Sequence, residues 1–338
     1  MDMARRARIT LLAAALLTLG AAGCGERDGE SRSDHNPTLF LAGDGEMWVV
    51  DADSETSKRF SMRKLIGGDP PHRVAVRGDR IVLWGRNTWA TDSNNPDGPL
   101  EAIAKDSLYW IPSADPSRIW VWVAGEERRR GLRSVREIAA DGATTVPDVK
   151  PPSRSSPEVA LESGLLLATE SGTELWDPHT GQVIRRFSYE EIGDHGPGYG
   201  DLLASCTHEC QELILTDVAS GERQQIKAPP GQTLDVWDGA FSPDGEHLAL
   251  PLHMSDRDWD GPKQLAVLSL ADHELSVIPG SGVPGGYTFV VWSESGDEVF
   301  ITGGERFKPR VIAFYAIGES AARHLDVEVG DFYGAAAK

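Results

Sequence analysis

The chain is 338 residues long, 40% of its residues are hydrophobic and 25% are charged, and it contains 36 glycines and 21 prolines. Its formal net charge of −19 argues against nucleic acid or anionic lipid as a partner of the folded part, because such partners need a positively charged surface. The many glycines and prolines favour numerous short strands joined by turns over long helices.

Residues 1–23 have the pattern of an export signal. Three arginines lie within residues 5–8, an apolar run covers residues 9–19, and small residues then lead directly into Cys24. The apolar run is too short to span a bilayer as a stable helix. The segment resembles a bacterial lipobox, in which the signal is cut before a cysteine that then carries lipid, although Ala21 stands where leucine is usual. We predict a lipoprotein signal peptide; the alternative is an ordinary secretory signal followed by a chance cysteine.

Residues 24–37 are predicted to form a lipidated tether. Residues 25–36 are polar and charged, so they have nothing to contribute to a hydrophobic core. Acyl chains such as palmitate on Cys24 would bind the membrane. The remaining residues, 38–338, are then a single domain on the extracytoplasmic face of the cell membrane.

Repeated turns organise this domain. Residues 241–250 read Phe-Ser-Pro-Asp-Gly-Glu-His-Leu-Ala-Leu, in which the proline and the glycine suit the second and fourth positions of a type I turn between two strands. Residues 292–301 repeat the design. A second turn, Asp-x-x-Ser/Thr-Gly, occurs at residues 177–181 and again at residues 217–221. Because aspartate can cap the turn and glycine can adopt a positive φ, these aspartates are interpreted as structural.

Between the turns, short apolar segments recur in units of roughly 40 to 45 residues with four strands each, which is typical of β-propeller blades. We predict an all-β fold, a β-propeller with seven four-stranded blades. Only the tether precedes Thr38, so the first blade lacks an innermost strand. We expect residues 327–333 to supply that strand and to close the ring by pairing the two ends of the chain.

Together, these turns resemble the WD-like repeats of TolB-type β-propellers. The resemblance covers residues 38–327 at the level of blades and is most specific in blades four to seven. It implies a platform that binds a protein or a small ligand on the face around the central channel. Some propellers of this kind carry enzymes, so the resemblance does not imply a particular reaction.

Two cysteines flank a short segment between apolar runs, Cys206 and Cys210, with His208 between them. In an exported protein this spacing favours a disulfide across a hairpin tip. A zinc site that includes His208 is an alternative, although two further ligands at a suitable spacing are missing. Free or redox-active thiols are a third interpretation.

An acidic loop is the strongest candidate for a metal or ligand site. Asp256, Asp258 and Asp260 alternate before a glycine, as in the first half of many calcium loops, where such oxygens converge on one cation. The closing acidic ligand is missing, because Val267 occupies its position. The alternative is a solvated acidic loop without metal. Trp259, in the same loop, is the tryptophan that we expect to be exposed on the ligand face.

Other aromatic and histidine residues have simpler interpretations. Six tryptophans lie within strand runs and are predicted to pack between blades: Trp48, Trp84, Trp120, Trp122, Trp176 and Trp292. Residues 193–198, with His195 among three glycines and a proline, are interpreted as a linker with an incidental histidine; a mobile binding loop is the alternative.

The leading functional hypothesis is a lipid-anchored, extracytoplasmic β-propeller that binds a protein or cell-envelope ligand without catalysis. It is based on the export signal, the blade repeats and the lack of a recognised nucleophile, zinc-helix or phosphate-loop motif. The alternative is a metal-assisted hydrolase or lactonase-like enzyme on the same scaffold, with a cation held by Asp256, Asp258 and Asp260. Neither hypothesis needs a resident cofactor beyond this calcium.

Overall fold

The computed structural model describes residues 36–43, 45–62, 73–85, 87–124, 133–152, 155–170, 172–207, 210–254, 261–304 and 310–338. Within these residues the regular secondary structure is almost all β-strand, arranged as seven antiparallel sheets. The predicted fold class, an all-β propeller with seven four-stranded blades, is confirmed.

Each sheet is one blade, and its strands are numbered in chain order and named from the innermost outwards. Blade one contains β29 (Gly334–Ala337), β1 (Thr38–Gly43), β2 (Glu46–Asp51) and β3 (Thr56–Ser61). Blade two contains β4 (Arg73–Arg77), β5 (Arg80–Trp84), β6 (Thr88–Asp92) and β7 (Glu101–Ala104). Blade three contains β8 (Ser107–Pro112), β9 (Arg118–Ala124), β10 (Arg133–Ala139) and β11 (Thr144–Val149).

The other four blades follow in chain order. Blade four contains β12 (Ser156–Leu161), β13 (Gly164–Thr169), β14 (Gly172–Asp177) and β15 (Gln182–Phe187). Blade five contains β16 (Asp194–Tyr199), β17 (Leu202–Cys206), β18 (Glu212–Asp217) and β19 (Arg223–Lys227). Blade six contains β20 (Thr233–Leu234), β21 (Ala240–Phe241), β22 (His247–His253), β23 (Lys263–Ser269) and β24 (Leu275–Val277). Blade seven contains β25 (Phe289–Trp292), β26 (Glu298–Gly303), β27 (Val311–Ala316) and β28 (Arg323–His324).

This strand order gives the ring two different ends. Because strands alternate in direction within every blade, the turns after the first and third strands all lie at one end, which we call the turn end. The loops after the second strands, and the connections from each blade to the next, lie at the opposite end, which we call the crossover end. The innermost strands of neighbouring blades lie side by side around the central channel.

Seven hydrophobic clusters hold the ring together, and each is shared by one pair of adjacent blades. Strand β1 shows how the sequence achieves this. Leu39 and Leu41 pack against blade seven, whereas Phe40 and Ala42 pack against blade two, because successive side chains point to opposite faces of a sheet. Each large apolar side chain buried in this way contributes about 1.5–3 kcal/mol.

The tryptophans of the strands pack between blades, as predicted. Trp48, Trp120, Trp122, Trp176 and Trp292 are all buried within these clusters. Trp84 is half-buried and packs at the edge of the cluster between blades two and three.

A single turn of helix, α1 (Tyr189–Ile192), connects blade four to blade five. The capping box of Ser188 and Glu191 begins it, and Gly193, with φ 55°, ends it. No helix in the described part of the chain is long and apolar enough to cross a membrane.

The two ends of the chain close the ring, but not through the expected residues. Strand β29 pairs with β1, and the backbone N–H groups of Thr38 and Lys338 each donate to the other's carbonyl, at 3.1 and 2.9 Å. The expected closing segment, residues 327–333, leads into this strand and does not form it. Small residues are required here because a Cβ on Gly334 would lie 2.9 Å from Arg73 Cα. A Gly-Ala-Ala-Ala sequence has little strand propensity, so the sequence pattern does not reveal this strand.

We predict that removing residues 334–338 strongly destabilises the domain. The truncation exposes the edge of β1 and uncovers the clusters on both sides of blade one. Thermal unfolding followed by circular dichroism should show the melting temperature falling by about 10 °C or more, or the loss of a single cooperative transition.

The matched control for the truncation is Lys338→Ala. This variant keeps β29 and loses only the side-chain hydrogen bonds of Lys338 to Asp79, Ser93 and Asn94. It should melt within a few degrees of the wild type. A truncated protein that melts like this control would contradict the closing role of β29.

Candidate ligand site in the central channel

The innermost strand of blade six is interrupted. Its two short pieces, β20 and β21, both pair with β22, and residues 235–239 between them leave the regular ladder. The break is anchored at its start, because the Asp235 N–H donates to the Pro251 carbonyl at 2.9 Å. At its end, a Cβ on Gly239 would lie 2.5 Å from a methyl carbon of Leu250, so the chain passes close to β22 there. The break therefore places residues 235–239 at the wall of the channel.

Trp237 lies in the middle of this break and is 52% exposed. The other sides of the innermost strand are covered by β22 and by blades five and seven. The channel side of the strand is the one that these elements leave open, so we infer that the exposed surface of the indole faces the central channel. Large exposed aromatic side chains are frequent at binding surfaces, because they offer apolar area and little conformational entropy.

A buried ion pair supports the break from behind. The Lys263 side chain is only 4% exposed, and its ammonium donates a hydrogen bond to Asp235 Oδ2 at 2.9 Å. His253 Nε2 lies 3.4 Å from the same oxygen. Burial raises the pKa of Asp235, but the contacts with His253 and with Lys263 outweigh burial and hold that pKa below its usual value. Asp235 is therefore a fixed negative charge inside the crossover end of blade six.

Asp238 is the second carboxyl beside the same lysine, with its Oδ2 3.7 Å from Lys263 Nζ. Although 37% of this side chain is exposed, its carboxyl lies next to the buried charge of Asp235. Desolvation of the carboxyl and repulsion by Asp235 raise the pKa of Asp238 to about 7. One lysine between two carboxyls thus neutralises Asp235 and leaves Asp238 able to gain or lose a proton near neutral pH.

A second polar pair lines the channel wall on blades four and five. His195, on the innermost strand β16, places Nε2 against Oε2 of Glu158, on the innermost strand β12. The His195 side chain is 10% exposed and Glu158 is 41% exposed, so the carboxylate is the accessible partner. Glu158 therefore adds a second accessible acid to the wall that continues into the break at Trp237.

The prediction of a linker at residues 193–198 was wrong, because residues 194–199 form the innermost strand of blade five. The glycines that suggested a loop are needed for close packing. A Cβ on Gly196 would lie 1.9 Å from the Val236 carbonyl oxygen, on the neighbouring blade. Gly196 thus allows blade five to approach the break in blade six, which brings the strands of His195 and Trp237 side by side.

Cys206 and Cys210 form a disulfide, as predicted. The bridge lies in the loop between β17 and β18 and is buried between blades five and six. The Cys210 carbonyl accepts a hydrogen bond from the Leu234 N–H at 3.0 Å, so the bridged loop holds the start of the interrupted strand. Because both sulfurs are in the bridge, neither is available as a thiolate ligand for the alternative zinc site.

The other predicted site residues lie outside the described residues: Cys24, His208, Asp256, Asp258, Trp259 and Asp260. The acidic loop that contains four of them connects β22 to β23. Its neighbours in the chain, His253 and Lys263, belong to the charged cluster behind Trp237.

One group of potential metal ligands occurs among the described residues, in the repeated hairpin of blade six. Ligand atoms of Asp244, Glu246 and His247 all lie within 4.8 Å of one another. Asp244 Oδ1 already accepts the Ser242 hydroxyl at 2.5 Å and the Glu246 N–H at 2.9 Å. These are the contacts that build the predicted turn, so we assign Asp244 to turn formation.

Sequence reasoning did not identify Asp235, Trp237, Asp238, His253 or Lys263. A signal was present, since two aspartates flank a tryptophan and a glycine follows, which is unusual inside a strand. The partnership of Asp235 with Lys263 spans 28 residues, and only the folded blade brings them together. Chemically, the site offers an aromatic surface, accessible carboxyls and one group that exchanges a proton near neutral pH.

No protein-family model and no curated protein matches the chain. Among solved structures, it is similar to a 6-phosphogluconolactonase-like protein from Bacteroides uniformis, at 12% identity and a TM-score of 0.57, over 90% of this chain and 100% of that one. It is also similar to AztD from Citrobacter koseri, at 12% identity and 0.50, over 90% and 98%. A third similar structure is TolB from Acinetobacter baumannii, at 13% identity and 0.49, over 89% and 66%. At these identities the likeness shows the propeller fold alone.

We predict that Asp238→Asn changes how stability depends on pH. Between the ordinary pKa of aspartate, near 4, and about 7, the folded protein keeps a proton on Asp238 that the unfolded chain has lost. Unfolding then releases a proton, so raising the pH through this range destabilises the wild type. Asp238→Asn lacks this effect, and its melting temperature relative to the wild type should rise by about 2 °C or more from pH 4 to pH 7 and then level off.

Asp297→Asn, which removes a carboxylate from an exposed turn of blade seven, is the control for losing one surface charge. The comparison is made by thermal unfolding in a series of buffers at constant ionic strength. If the difference between Asp238→Asn and the wild type stays constant across the series, Asp238 does not titrate in the way described.

Proposed function

We propose that this protein is a lipid-anchored, extracytoplasmic β-propeller that binds a protein or cell-envelope ligand at its central channel without catalysis. Cys24 would carry the lipid, and the propeller would be held at the outer face of the cell membrane by the tether. The channel wall formed by blades four to six would receive the ligand. Nucleic acid is not the expected partner, because the chain carries a large net negative charge.

The observation that carries the binding role is the exposed Trp237 on an interrupted innermost strand. An innermost strand that served only the core would pair with β22 along its whole length, and its aromatic side chains would pack between blades. The break instead places a large apolar surface in solvent beside the acidic group Asp238, and Glu158 adds an accessible carboxylate on the innermost strand of blade four. Such a surface supports a ligand that combines an apolar part with hydrogen-bond donors or positive charge.

The disulfide supports an extracytoplasmic location for the protein. Bridges of this kind persist in oxidising compartments and are rare in the cytosol. Cys206 and Cys210 are paired inside the interface between blades five and six, where the bridge is a structural part of the ring. The export signal that the sequence predicts before Cys24 and the disulfide are two separate features that both favour this location.

The alternative function is a metal-assisted hydrolase or lactonase-like enzyme on the same scaffold. The observation that favours it is the pair Asp235 and Asp238, since neighbouring carboxyls with separated pKa values are common in active sites. Hydrolysis of a lactone, phosphoester or glycoside by the purified protein, abolished by Asp238→Asn, would replace the binding proposal with this one.

We predict that a photo-crosslinking amino acid at position 237 captures the ligand in membranes. Trp237 faces the channel, so a reactive group there should give one discrete crosslinked species. The matched control is position 184, because Ile184 is 53% exposed but lies on the outermost strand of blade four. Crosslinks are detected by gel shift and identified by mass spectrometry.

Once this species is identified, the variant Trp237→Ala, without a crosslinker, should reduce its co-purification with the protein by about fivefold or more, whereas Ile184→Ala should leave co-purification unchanged. Equal crosslinking from both positions, or none from position 237 in intact cells, would contradict a ligand at the channel.

We predict that Cys24→Ala releases the protein from the membrane. Without the acceptor sulfur the acyl chains have no attachment, so the protein should move from the membrane to the soluble fraction and lack an acyl mass. Fractionation and mass spectrometry measure both properties. A wild-type protein without an acyl mass, or a variant that stays at the membrane, would refute the anchor.

A further inference from the structure

The large hydrophobic side chains that remain exposed are unevenly distributed over the ring. Seven such side chains are exposed in the described part of the chain. Trp237 lies on the channel wall, Ile184 on the outermost strand of blade four, and Tyr199 at the turn end. The others lie at the crossover end: Leu108, Tyr189, Met254 and Tyr287. Exposed apolar surface is therefore concentrated at the crossover end, around the mouth of the channel.

Tyr287 is exposed but held in place. Its side chain is 50% exposed, and its ring meets the Tyr333 ring edge-on, with 6.1 Å between the centroids. Behind it, the Arg310 guanidinium lies 5.6 Å from the centroid of the Tyr287 ring. The Arg310 side chain is fully buried, donates through Nη1 to the Gly304 carbonyl, and places Nη2 3.5 Å from Asp331 Oδ1. An aromatic ring that is fixed before binding loses little conformational entropy when a partner covers it.

The other exposed side chains of the crossover end are also positioned by the fold. The Tyr189 hydroxyl donates to Asp194 Oδ2 at 2.9 Å, and Met254 Sδ accepts a hydrogen bond from Gln232 Nε2 at 3.8 Å. Leu108 lies at a register shift in the pairing of β8 with β9, an irregularity that can re-aim a side chain. These side chains therefore form a prearranged apolar rim.

The turn end offers a different surface. Its turns are polar, and their aspartates accept hydrogen bonds from backbone N–H groups of the same turn, as Asp51, Asp177, Asp217 and Asp244 do. The exposed Tyr199 donates to a carbonyl of the blade-six hairpin at 3.2 Å. Turns of this kind satisfy their own polar groups. The apolar crossover end is therefore the better candidate for contact with another macromolecule.

Beside the exposed aromatic side chains of blades six and seven, the cations are buried and a carboxylate is accessible. The Lys263 and Arg310 side chains are only 4% and 0% exposed. Asp238 is 37% exposed, and Glu158 on blade four is 41% exposed. Arg73, an exposed cation at the start of β4, lies over an aromatic ring of blade three at 4.3 Å. With a net charge of −19 for the whole chain, a partner that approaches this end meets negative charge.

We propose that the crossover end of the ring is a docking surface for a basic segment of a partner protein. Apolar side chains of that segment cover Trp237 and Tyr287, and its lysine or arginine side chains lie beside Asp238 and Glu158. The proposal rests on the proposed function, whose ligand it specifies as a protein and whose contact it extends from the channel wall to the rim. A second copy of this acidic chain, or an anionic lipid surface, would be repelled.

A library of random peptides of about 12 residues, displayed on phage, is the probe for this surface. It is panned against the purified protein immobilised through residues 24–37, so that the crossover end stays free. Enriched peptides should combine a net positive charge with aromatic or aliphatic residues. No enrichment over a surface without protein, or a consensus without net positive charge, would overturn the proposal.

Variants of the protein then locate the binding of one enriched peptide by fluorescence anisotropy. Trp237→Ala and Tyr287→Ala should each weaken binding by about fivefold or more. Ile184→Ala, which removes an equally exposed side chain from the outermost strand of blade four, should stay within about a factor of two. Glu158→Gln should weaken binding by about threefold and make it less sensitive to salt. If Tyr287→Ala does not fold, as judged by circular dichroism, Met254→Ala replaces it.

The outcomes separate this surface from the channel site. Binding that depends on Trp237 but not on Tyr287 or Met254 would overturn the docking surface and leave the channel proposal standing. An equal loss in Ile184→Ala would overturn it as a non-specific effect. A glycan or lipid captured by the crosslinker at position 237 would support the proposed function and rule out the protein partner, whereas no capture there contradicts the proposed function itself.

Discussion

Each blade of this ring is apolar on both faces, and neither face can remain in water. Side chains that alternate along a single strand, such as Leu39 and Phe40 of β1, pack into two different clusters on opposite sides of the blade. A blade can cover both faces only if it has a neighbour on each side, which an open row of blades denies to its first and last members. Closure of the ring is therefore a requirement of the core, and the pairing of β29 with β1 meets it.

The candidate site lies where one blade departs from the regular strand pairing of the others. In blade six the innermost strand leaves the ladder for residues 235–239, and the buried pair of Lys263 and Asp235 supports the break from behind. A buried ion pair is a costly way to stabilise a fold, and an apolar pair of similar volume is often at least as stable. Its presence beside an exposed tryptophan is easier to understand as positioning of a binding surface than as a contribution to stability. The disulfide fixes the same strand from the side of blade five.

The sequence predicted the blades because turn chemistry and short apolar strands are local features. It also predicted the pairing of Cys206 with Cys210, since the bridge needs only a short loop and an oxidising compartment. Strand β29 was missed because glycine and alanine carry no strand signal, and their small size matters only where Arg73 passes close by. Strand β16 was missed for a similar reason, because Gly196 is required by the approach of Val236 from another blade. The need for these glycines, and the assembly of the charged cluster, depend on contacts between blades. No single stretch of the sequence reveals such contacts.

The position of Thr38 also sets where the chain enters the ring. Strand β1 is a second strand, so the chain enters the ring at the turn end, next to the final residue, Lys338. About 13 residues separate Cys24 from that point, which span at most about 45 Å when fully extended. A lipid on Cys24, as proposed, would therefore be attached to the ring at its turn end, whereas the disulfide lies at the opposite, crossover end.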